Sequence, residues 1–177
     1  MTKQVTNKKD IRNKAKVFSN ADHFLAFGFG SGLSPFAPGT MGTLAAIPLY
    51  LIMVLLLPQW MYITLTIVFL VIGIGICDRV SNDLQTHDFS GIVWDEIVGY
   101  LITMMFLPLS WELILLGFLL FRFFDILKPW PISWLDKELS GGLGIMLDDV
   151  LAGIFAWVIL MLISHFWLST AIFPILS

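Results

Sequence analysis

Five apolar stretches, parted by short polar breaks or by glycine and proline, dominate the chain: residues 41–57, 60–77, 92–109, 111–127 and 150–168. A helix that crosses a bilayer needs about 20 mostly apolar residues, within a range of roughly 17–25. The 60–77 stretch, WMYITLTIVFLVIGIGIC, meets that need most cleanly. The first stretch opens on glycine and contains Pro48, the third carries Asp95 and Glu96 near its start, and the fourth carries Arg122 and Asp125 near its end. The pattern predicts an all-α, polytopic membrane bundle of about four to five embedded helices, with re-entrant or interfacial segments among the shorter ones.

Composition agrees. Hydrophobic residues make up 58% of the 177 and charged residues 13%, against about 45–50% and 25% in a soluble domain. No internal repeat or low-complexity segment interrupts the pattern. The single cysteine, Cys77, excludes an internal disulfide and a four-thiolate zinc site. The basic start runs into Asp22, His23 and a short apolar run broken by glycines, a poor core for a cleavable signal peptide.

Charge sets the expected orientation. Six of the ten Lys and Arg residues are Lys3, Lys8, Lys9, Arg12, Lys14 and Lys16. With five spans and the N-terminus inside, the inner segments 1–40, 78–91 and 128–149 also hold Arg79, Lys128 and Lys137, and the outer segments hold no basic residue. That is the positive-inside pattern. Residues 1–20 read as a basic cytoplasmic arm and 21–177 as one membrane-embedded domain. Trp60, Trp111 and Trp167 are expected at the outer interface, and Trp94, Trp130 and Trp134 at the inner one. A short basic arm as the only positive cluster argues against a nucleic-acid partner.

The acidic residues carry the chemistry. Asp95 and Glu96 begin the third stretch, Asp125 lies near the end of the fourth, and Asp148 and Asp149 precede the fifth. An antiparallel bundle brings these ends to one membrane level. A charge at the centre of a span costs about 2.5–3.5 kcal/mol on insertion scales, less near the interface. Five gathered carboxylates also repel one another, so they need a cation or a shift in protonation. Hard cations such as Mg²⁺ take carboxylate and phosphate oxygens. Helix ends bearing solvated acids offer a plainer account, because acids favour helix N-termini.

Arg122, Asp125 and Lys128 follow one another at steps of three and share a helix face up to Pro129. An ion pair within the membrane and a phosphate-and-metal site are equally served by that spacing. The stretch GFGSGLSPFAPGTMGT, residues 28–43, holds five glycines and two prolines, which preclude a regular helix through it. Its amides and hydroxyls suit a phosphate cradle, although it matches neither a P-loop nor a dinucleotide fingerprint. Gly141, Gly142 and Gly144 allow close backbone approach just before Asp148. Asp83 and His87, at i and i+4, could form an accessory acid–base or metal pair, although such a pair is more often a surface contact. His23 and His165 read as structural, and Cys77 as packed.

Four segments in order, GFGSGLSPFAPGTMGTLAAIP, HDFSGIVWDEIVG, FRFFDILKPWPI and GGLGIMLDDVLAG, make the chain from about Asn20 to Phe155 similar to the phosphatidylglycerophosphatase A family. The resemblance implies an Mg²⁺-dependent lipid phosphatase of the bacterial inner membrane, with a site facing the cytoplasm and phosphatidylglycerol phosphate as substrate. On that basis Asp95, Glu96, Asp125, Asp148 and Asp149 are expected to bind Mg²⁺, one of them doubling as base. Arg122 and Lys128, with Ser34, Thr40 and Gly42 of the loop, are expected to hold the phosphate. Direct attack by water is preferred to an aspartyl-phosphate, for which no D-x-D signature exists. An ion-conducting protein, or a structural subunit whose charges only pair helices, are the competing classes; the first places its carboxylates along a path rather than at one rim.

Overall fold

The computed structural model describes residues 17–86 and 89–172, with side chains as far as Phe166. Lys3 to Lys16, His87, Asp88 and the side chain of Trp167 lie outside the described residues. All regular structure among the described residues is helical: α1 (Ala21–Ala26), a 3₁₀ segment (Gly28–Leu33), α2 (Pro38–Leu56), α3 (Gln59–Leu84), α4 (Trp94–Thr103), α5 (Trp111–Leu127), α6 (Ile132–Glu138) and α7 (Gly141–Ile172). Three of these are long and apolar enough to cross a bilayer: α2, α3 and the Gly141–Phe166 part of α7.

Local chemistry explains the boundaries. Asn20 caps α1 by accepting from the backbone N–H groups of Asp22 and His23. Ser110 caps α5 through Leu113. α5 ends at Lys128, which takes the left-handed conformation ahead of Pro129. α2 begins inside the glycine-rich stretch, which corrects the expectation that no helix runs there. Pro38 occupies its first turn, where a missing N–H costs nothing, and the two glycines that follow are absorbed by packing.

The third apolar stretch departs furthest from expectation. It is not a span over 92–109 but a 10-residue helix, about 15 Å long, half the hydrocarbon thickness. It ends at a turn through Phe106, whose φ is +61°. Most of α4 is buried, including Trp94, Ile97, Val98, Tyr100 and Leu101, so protein surrounds it on all sides. A carbonyl near its end and one in the turn just beyond find donors from neighbouring elements. Tyr62 Oη donates to the Leu101 carbonyl at 2.6 Å, and Trp157 Nε1 to that of Met105 at 2.8 Å. Trp94 is likewise no interfacial anchor, since it is buried and its Nε1 donates to the Phe69 carbonyl at 3.0 Å. Trp60, Trp111, Trp130 and Trp134 are exposed.

α7 starts well before residue 150, so Asp148 and Asp149 lie two turns inside it rather than ahead of it. Its first turn is seated against α3. Asp78 accepts from the Gly142 N–H at 3.1 Å, and a side chain at Gly142 would strike the Ile74 carbonyl oxygen. Further along, α7 crosses α4 backbone to backbone. A Cβ on Gly153 would stand 2.5 Å from the Gly99 carbonyl oxygen, and one on Gly99 would stand 2.8 Å from that of Asp149. Small residues at such crossings let membrane helices approach closely. The crossing fixes the register that matters, because Glu96 and Asp149 lie three and four residues before its two glycines.

Candidate active site

A cavity of about 440 Å³ opens where α2 begins, α4 begins, α5 ends and α7 passes, with α6 folded across one side. All five carboxylates singled out in the sequence line it, as do Arg122 and Lys128. The fold separates the five into two sets. Asp95, Glu96 and Asp149 each offer an oxygen, and these oxygens lie within 4.8 Å of one another. Asp125 and Asp148 instead face the two cations. Arg122 Nη1 donates to Asp125 and lies 3.8 Å from Glu96 Oε1, and Lys128 Nζ donates to Asp148 at 2.5 Å. The ion pair that the Arg122–Asp125 spacing allowed is formed, and it is part of the cavity wall.

The triad is electrostatically incomplete. Asp95 Oδ1, Glu96 Oε2 and Asp149 Oδ2 are buried and accept no hydrogen bond. Orphaned buried carboxylate oxygens cost several kcal/mol unless a proton or a cation compensates them. Three hard oxygen donors converging on one point suit Mg²⁺, so the residues present fit the ion the sequence resemblance implied. Lys128 is held differently. Burial disfavours its ammonium, but ion pairs with Asp136 and Asp148 outweigh that cost and keep its pKa above the ordinary lysine value.

The glycine-rich loop contributes otherwise than expected. Ser34, Thr40 and Gly42 do not line the cavity; Ala37, Pro38 and Gly39 do. The Ser34 hydroxyl closes a local turn, donating to the Phe36 carbonyl at 2.7 Å. Gly42 is buried against Val93, 2.6 Å from where its Cβ would be. Gly39 is the consequential glycine: a Cβ there would collide with Glu96 Oε1 and stand 3.0 Å from Arg122 Nη1. Asp83 lies away from the cavity, where its carboxylate pairs with buried His23 at 3.4 Å. Its candidate partner His87 is outside the described residues. Cys77 is buried, its Sγ 3.8 Å from Met146 Sδ.

A family model described as phosphatidylglycerophosphatase A matches residues 24–164, which enclose the whole cavity. Two proteins named phosphatidylglycerophosphatase A are each 46% identical to the chain. The one from Escherichia coli aligns over 160 residues, 90% of this chain and 92% of its own. The one from Haemophilus influenzae aligns over 150 residues, 84% and 92%. The chain belongs to the phosphatidylglycerophosphatase A family. A more distant relative from Bacteroides thetaiotaomicron, which carries the provisional name phosphatidylinositol-3-phosphatase, is 36% identical over 140 residues, 75% of this chain and 87% of its own. No solved structure matches the chain significantly. Membership of the phosphatidylglycerophosphatase A family makes the chain an enzyme, a phosphatase, and the ion-conducting and purely structural alternatives are set aside.

One charged residue of the cavity escaped the sequence reading altogether. Asp136, in SWLDKE on the seven-residue α6, accepts from Lys128 Nζ at 2.6 Å. Nothing in its local sequence distinguishes it from an ordinary solvated acid. Only the fold-back of the chain after Lys128 brings it to the site.

Proposed function

We propose that this protein hydrolyses phosphatidylglycerol phosphate to phosphatidylglycerol and inorganic phosphate, with Mg²⁺ held by Asp95, Glu96 and Asp149, at the cytoplasmic face of a bacterial inner membrane. One observation carries the reading: three orphaned carboxylate oxygens and two cationic side chains share one cavity, in a chain of this family. Mg²⁺, when bound, would neutralise phosphate charge, lower the pKa of water and stabilise the leaving oxygen. Arg122 and Lys128 supply donors for the non-bridging oxygens of the phosphoryl group, whose charge must be met throughout transfer. Asp125 and Asp148 orient those two cations. Water attacks phosphorus, the bond from phosphorus to the glycerol oxygen breaks, and that oxygen leaves with a proton. A carboxylate of the cavity takes the proton from the attacking water. The basic N-terminal segment supports the cytoplasmic orientation by the positive-inside rule.

Phosphate release tests this directly. Purified protein in mixed micelles is offered phosphatidylglycerol phosphate, phosphatidic acid and phosphatidylinositol 3-phosphate, with Mg²⁺ or with EDTA. The expected outcome is Mg²⁺-dependent release, fastest from phosphatidylglycerol phosphate. It should fall roughly 100-fold or more in folded Asp149→Asn, since even the groups that support metal ligands cost about 10–100-fold when removed. Faster release from another lipid overturns the substrate assignment, and release indifferent to EDTA overturns the metal site.

A further inference from the structure

Lys128 has two carboxylate partners of different character. Asp148 is nearly buried, with a side chain 10% exposed, whereas Asp136 on α6 is 40% exposed. Asp148 neighbours Asp149, a member of the carboxylate triad, in α7. Asp136 lies outside the triad and accepts from the same ammonium at 2.6 Å. α6 has other contacts that seat it: Ile132 is fully buried, and the carbonyl of Leu139 just after it lies against Gly144 of α7. An exposed acid on a helix that other contacts seat, bonded to a cavity lysine eight residues back, has its use in the site.

We infer that Asp136 is a positioning residue for phosphate binding: it anchors the Lys128 ammonium at the cavity wall so that the lysine meets the substrate's phosphomonoester. This rests on the phosphatase reading of the same cavity. The test compares wild type, Asp136→Ala, Asp136→Glu, Lys128→Ala and the Asp136→Ala/Lys128→Ala double variant. Three quantities are read for each: kcat and KM for micellar phosphatidylglycerol phosphate, inorganic phosphate binding by calorimetry in Mg²⁺, and thermal unfolding in detergent.

Asp136→Ala should raise KM and weaken phosphate binding about threefold to tenfold, the range for a partly exposed charge-assisted bond, with a smaller change in kcat. Asp136→Glu should restore most of the loss, and the double variant should match Lys128→Ala alone. Wild-type KM and phosphate binding in Asp136→Ala overturn the inference. So does an equal loss in the Lys128→Ala background, or a loss that tracks a lowered unfolding temperature. Wild type that binds phosphate without hydrolysing lipid sinks the proposed function alone, since the coupling of Asp136 to Lys128 is still read in binding. Wild type that neither hydrolyses the lipid nor binds phosphate sinks both.

Discussion

Gly39 shows how much of the site depends on an atom that is not there. Any side chain at this position would occupy the space of the Glu96 carboxylate and the Arg122 guanidinium. Gly39→Ala is therefore expected to lower kcat/KM roughly 10–100-fold, the scale on which small misplacements of reacting groups act, while the protein still elutes as a folded species in detergent. An unchanged kcat/KM would show that Arg122 has room to move. Arg122 itself faces Asp125 with one nitrogen and Glu96 with the same end of its fork. A lysine offers a point charge in place of that planar fork. Arg122→Lys should cost at least about tenfold in kcat/KM, a loss that steady-state kinetics on the lipid substrate would reveal.

At the scale of elements, α4 is a short buried helix packed against α2, α3, α5 and α7, and contacts at both ends hold it. Gly153→Ala pushes a methyl group into the Gly99 carbonyl, and overpacking of this kind costs about 1–3 kcal/mol. The same shift moves Asp149 relative to Glu96, so unfolding temperature and activity should fall together. Tyr62→Phe separates the two effects. Losing its hydroxyl leaves the buried Leu101 carbonyl without its donor, a cost of about 1–3 kcal/mol, far from the carboxylates at the opposite end of α4. Its unfolding temperature should drop while kcat stays within about twofold of wild type, a bound set by the distance from the charged groups. A parallel fall in kcat would show that the two ends of α4 are coupled.

Across the whole molecule, the cavity trades stability for function. The triad gathers three carboxylates in a buried setting, each with one oxygen that accepts no hydrogen bond, and like charges there repel. Adding Mg²⁺ to EDTA-treated protein should therefore raise its unfolding temperature, by up to about 2.7 kcal/mol of stabilisation at a hundredfold excess over the dissociation constant. Asp149→Asn removes one of the repelling charges. In EDTA it should be at least as stable as wild type, and Mg²⁺ should add little. Calorimetry or fluorescence-detected unfolding in detergent checks both halves, and a metal-independent unfolding temperature in wild type would tell against the site.

Membrane residence, the helical class and the family were all legible in the chain, because apolar runs of bilayer length and four ordered segments are local properties that no packing can hide. Seven of the eight charged residues around the cavity were legible too, since charges within or beside apolar runs stand out wherever the chain folds. Tertiary structure alone decided the rest. It made the third stretch a buried half-length helix, because surrounding helices supply donors to its ends and replace lipid along its sides. It moved the loop's contribution from Ser34, Thr40 and Gly42 to Gly39, because close approach depends on the neighbour rather than on the glycine. It divided five like carboxylates into a triad and two partners of cations, and it brought Asp136 to Lys128. Distances across the chain are set by how helices cross, and the Gly99–Gly153 contact that fixes this crossing joins residues that no local pattern connects.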